Sequence, residues 1–65
     1  MMEGGYRIRY TCNHVPVEVH SKEIESFKNI VRECELNTVP YQIYEITNKG
    51  DMPIRREYAL SLLLR

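Results

Sequence analysis

The chain's 65 residues amount to a single domain, 1–65, and at this size a core alone seldom leaves more than about 3–5 kcal/mol of stability, so disulfides, a metal, very regular packing or a partner chain usually helps. Hydrophobic residues at 43% and charged residues at 28% exclude the disordered regime, and nine basic residues against nine acidic ones remove the general electrostatic case for nucleic acid or an anionic membrane. No stretch approaches the ~20 apolar residues of a membrane span, and two cysteines without an export signal read as reduced thiols, so the expected location is the cytoplasm.

In chain order, residues 1–5 read as a mobile, glycine-containing leader. Residues 6–12 then alternate, with Tyr6, Ile8, Tyr10 and Cys12 on one side and Arg7, Arg9 and Thr11 on the other, which is a strand. A second alternation sets Val15, Val17 and Val19 against Pro16, Glu18 and His20. If Asn13-His14 is the loop of a tight hairpin, counting gives the register: Cys12 opposite Val15, Tyr10 opposite Val17, Ile8 opposite Val19, and on the reverse face Arg9 opposite Glu18 and Arg7 opposite His20. Asn-His lacks the glycine that a type I′ turn prefers, and Pro16 assigns the second strand to an edge.

Residues 21–36 carry the clearest periodicity in the chain. Ile24, Phe27, Ile30, Val31 and Cys34 fall on one helical stripe, with Ser21 as the expected N-cap and Val39-Pro40 forbidding continuation. Residues 39–47, rich in aromatic and β-branched types, read as a third strand parallel to the second and paired with the first, which makes a three-stranded antiparallel sheet of order 2-1-3. Asn48-Lys49-Gly50-Asp51 is a turn signal, and Asp51 with Pro53 marks the start of a tail helix over 54–64 that is apolar nearly all round. The expected architecture is α+β, ββαβα, with the long helix on one sheet face and a C-terminal helix after it.

Function is less legible than fold. No nucleophile elbow, phosphate loop, H-E-x-x-H or dinucleotide fingerprint is present, so no catalytic residue and no cofactor is assigned. Cys12, His14, His20 and Cys34 are the residue types of a zinc site, but they lack its close pair spacing and would break the hairpin register if they converged. A helix apolar on all sides must be buried on several sides or meet another chain. The expectation is therefore a non-enzymatic protein–protein interaction module, a homodimer or the occupant of another protein. Its interface would combine Tyr58, Leu60, Leu63 and Leu64 of the tail with Tyr41, Tyr44 and Ile46 of the third strand. The alternative is a single-stranded nucleic-acid binder using Arg7, Arg9 and His20 with a tyrosine on the polar sheet face.

Overall fold

The computed structural model describes residues 4–65. Strands β1 (Tyr6–Cys12) and β2 (Val15–Ser21) are followed by a 3-10 turn (Ile24–Phe27) that runs directly into helix α1 (Lys28–Leu36). Strands β3 (Tyr41–Thr47) and β4 (Gly50–Ile54), helix α2 (Arg56–Ser61) and a closing 3-10 turn (Leu62–Leu64) complete the chain. The fold is α+β with an antiparallel sheet and two helices, but the sheet has four strands in the order β2-β1-β3-β4, one more than the pattern suggested. Of the expected leader, residues 1–3 lie outside the described part. Gly5 is tied to the sheet, its carbonyl accepting from the Ile46 N–H at 3.0 Å.

The β1–β2 hairpin has the register that counting gave, Cys12 opposite Val15 through Tyr6 opposite Ser21. Asn13 and His14 both have positive φ, 51° and 68°, which is a type I′ turn made without glycine. The extra strand explains itself locally. Asn48 and Lys49 form a two-residue turn between Thr47 and Gly50, where the Thr47 hydroxyl donates to the Gly50 carbonyl at 2.6 Å and accepts from the Lys49 N–H at 3.1 Å. Asp51 and Pro53, which resemble the start of a helix, instead lie in β4 opposite Ile46 and Tyr44.

Because the Ile46 N–H points to β1, its ladder partner Asp51 and, two residues on, Pro53 hold positions of β4 that do not hydrogen-bond to β3. Pro16 has the equivalent place in β2, opposite Thr11. Each outer strand thus turns a proline, with no N–H to offer, toward the open edge.

Two further boundaries differ from expectation. Ser21 ends β2 rather than capping a helix: its hydroxyl accepts from the Glu23 N–H at 3.2 Å and donates to the Ser26 hydroxyl at 2.9 Å, a local turn that delays regular α-helix until Lys28. The tail helix starts at Arg56, not Ile54, and tightens into 3-10 geometry at Leu62.

Both helices lie on the sheet face formed by Ile8 and Ile43. There Ile24, Phe27 and Val31 from the first helical segment meet Ala59 and Leu62 from the tail, with Tyr6, Tyr10, Val19, Ile30, Tyr41, Ile54 and Leu63 packed around them. Phe27, Ile8, Val31 and Leu62 are fully enclosed.

Candidate functional site

Side chains opposite one another in an antiparallel ladder share a face, so the register sorts the polar residues of the sheet. On the face away from the helices, one row runs His20, Arg7, Tyr44, Pro53 and the next runs Glu18, Arg9, Gln42, with Ile46 and Asp51 beside them. Among the described residues no helix covers this face.

Arg7 organises it. Its guanidinium lies 4.7 Å from the centre of the Tyr44 ring, a cation–π contact, while Nη1 reaches Glu18 at 3.1 Å and Nη2 reaches Asp51 at 2.5 Å. The side chain is only 22% exposed, and Nε is buried without a partner. Glu18 also meets Nε of Arg9 at 3.8 Å and Nε2 of His20 at 3.7 Å. The result is a chain of contacts of alternating sign, Asp51, Arg7, Glu18, Arg9, with Arg7 over the Tyr44 ring. Beside it a shallow depression of about 320 Å³ is bordered by Thr11, Pro16, Pro40, Gln42 and Tyr44.

On the helical side, a groove of about 410 Å³ runs between the end of α1 and the start of α2. Arg56 grips Glu35 with two bonds, Nε to Oε2 at 3.1 Å and Nη2 to Oε1 at 2.7 Å, and the Tyr41 hydroxyl donates to Oε2 at 2.7 Å. Hydrogen bonds from Arg56 and then Tyr41 hold the Glu35 carboxyl below its ordinary value. Burial, and then the bond to Glu35, push Tyr41 up to about 12. These three groups fasten α2 to α1 and β3. At the other end of the tail, Lys28 Nζ donates to the Arg65 carbonyl at 2.6 Å and the Arg65 guanidinium pairs with Glu25.

The residues expected to form one interface are therefore divided. Tyr41 and the tail belong to the helical side, whereas Tyr44 and Ile46 belong to the bare face. Leu60 and Leu63 are half-buried; Tyr58 at 43% and Leu64 at 88% keep most of the tail's exposed apolar surface. Arg7, Arg9 and His20 do share the bare face, but Glu18 touches all three. Cys12 is exposed at the hairpin end, and Cys34 is buried with its thiol pushed up by burial and then by Glu35 and Glu33. Both border a second groove of about 510 Å³, yet no three His, Cys, Asp or Glu residues among those described are gathered to hold a metal ion. No described helix is long and apolar enough to cross a membrane.

The sequence pattern missed Asp51, Glu35 and Arg56 as organising charges. Asp51 lies in the unexpected strand, and the Glu35–Arg56 pair joins residues 21 apart that only the placement of the tail brings together. Comparison with family models, with curated proteins and with solved structures yields no match, so the functional reading rests on geometry.

Proposed function

We propose that the chain is a small non-enzymatic interaction module that acts by laying the bare face of its sheet against another protein. The observation that carries this reading is Arg7, immobilised on Tyr44 between two carboxylates, on a face that nothing among the described residues covers. Such a surface is rigid before it meets a partner, so little side-chain freedom is lost on contact. The tail contributes less than its sequence implied, because Leu60 and Leu63, two of its four expected interface residues, are half-buried.

Two observations weigh against other classes. Proton-transfer chemistry favours groups that titrate near the working pH, whereas Glu35 and Tyr41, the titratable pair of the Glu35–Arg56 groove, are shifted away from neutrality in opposite directions. Single-stranded nucleic acid would need free cations beside an aromatic, and Arg7 is engaged by Glu18 and Asp51.

The test is retention of proteins by the immobilised chain. Tyr44→Glu, which places a carboxylate under the bare face, should abolish retention, and Leu64→Arg on the tail should leave it intact. The reverse pattern would move the interface to the tail. Salt-sensitive retention of the chain itself on single-stranded nucleic acid would favour the alternative.

A further inference from the structure

Resting on that reading, we infer that the bare face docks a second copy of this chain, face to face about a two-fold axis. The charges supply the first reason. Asp51, Arg7, Glu18 and Arg9 are linked in the order minus, plus, minus, plus. A string of this kind read backwards is its own complement. A two-fold axis reverses the string, so Asp51 meets the exposed Arg9 of the second copy, and the internally paired Arg7 and Glu18 of the two copies lie antiparallel, plus beside minus. An isologous contact requires one patch that is complementary to itself, and a face of single sign could not meet that requirement.

The prolines supply the second. With Pro16 and Pro53 on the two outer strands, pairing of a partner strand at either edge loses a hydrogen bond, which leaves the face as the better route.

The experiment is sedimentation equilibrium of the 65-residue chain with single and paired charge reversals. The wild type should form a dimer that weakens with added salt. Arg9→Glu and Asp51→Arg should each raise the dissociation constant at least about tenfold, and the double variant, which restores opposite charges across the axis, should recover most of that loss. Arg9 is 58% exposed, so its reversal should leave the fold intact by circular dichroism. Should Asp51→Arg fail to fold, dilution of the wild type followed by amide chemical shifts gives a measure free of variants: shifts should move at Arg9, Gln42 and Tyr44 and stay fixed in α2. A dimer indifferent to both reversals, or shifts confined to the tail, would overturn the inference. So would a monomer at every concentration; if Tyr44→Glu then still abolishes capture of another protein, the functional reading stands alone, and if it does not, both fall.

Discussion

The two faces of one sheet are built on opposite principles. The helical face is apolar and closed: Ile8 and Ile43 lie beneath Phe27, Val31 and Leu62, and its shape is fixed by packing. The other face is open, and its order comes from charge, through one arginine of β1 that ties together all four strands by touching Glu18, Tyr44 and Asp51. The chain thus keeps its buried apolar residues on one side of the sheet and leaves the other side without a helix over it among the described residues.

The largest expected effect is on the closed face. Phe27→Ala should destabilise the fold by about 3–5 kcal/mol, enough to unfold an isolated domain of this size in a denaturant titration. On the open face, Arg7→Met should cost about 1–2 kcal/mol, because two carboxylates lose their shared partner while little buried volume is lost. Equal losses from the two substitutions would abolish the distinction between the faces. Glycine at either His14 or Thr38, whose φ of 56° ends α1, should stabilise by about 0.5–1 kcal/mol in thermal melts by relieving left-handed backbone. Leu64→Arg should change stability by less than about 0.5 kcal/mol, since the side chain is 88% exposed.

The fastening of the tail has a pH signature at both ends of the scale. Glu35 titrates lower when folded than when unfolded, so its contribution is present above the ordinary carboxylate value and is lost as pH falls through the folded value. Tyr41 is raised from 10.0 to about 12, so its contribution is present below pH 10 and is lost between about 10 and 12. Melting temperatures across that alkaline window should fall, and Tyr41→Phe should flatten the fall.

Periodic patterns were legible in the sequence, and accidents of adjacency were not. The β1–β2 register followed from a two-residue loop, because slipping by one residue would turn Ile8 and Val19 out of the core. The stripe from Ile24 to Cys34 located the first helical segment because it repeats over several turns. β4 was hidden because Asp51 and Pro53 are also the residues that open helices, and because an edge strand of five residues has too little alternation to outvote them. Which side of the tail is buried was not legible, because apolar residues occur nearly all round it. The helix starts at Arg56 and changes pitch at Leu62, so Ala59 and Leu62 point inward together. As for the bare face, the pairing of Arg9 with Glu18 was readable from register, but the closer contact is the diagonal one from Arg7, at 3.1 Å against 3.8 Å.

The prolines on the two outer strands also bear on assembly by strand addition. Fibrils of the cross-β kind lengthen by adding strands, one hydrogen-bonded rung after another, to an exposed margin. Here both margins carry a missing rung, at Pro16 and at Pro53, so the ribbon is terminated on either side. Replacing both prolines with valine should make the chain form thioflavin-positive fibres more readily than the wild type does.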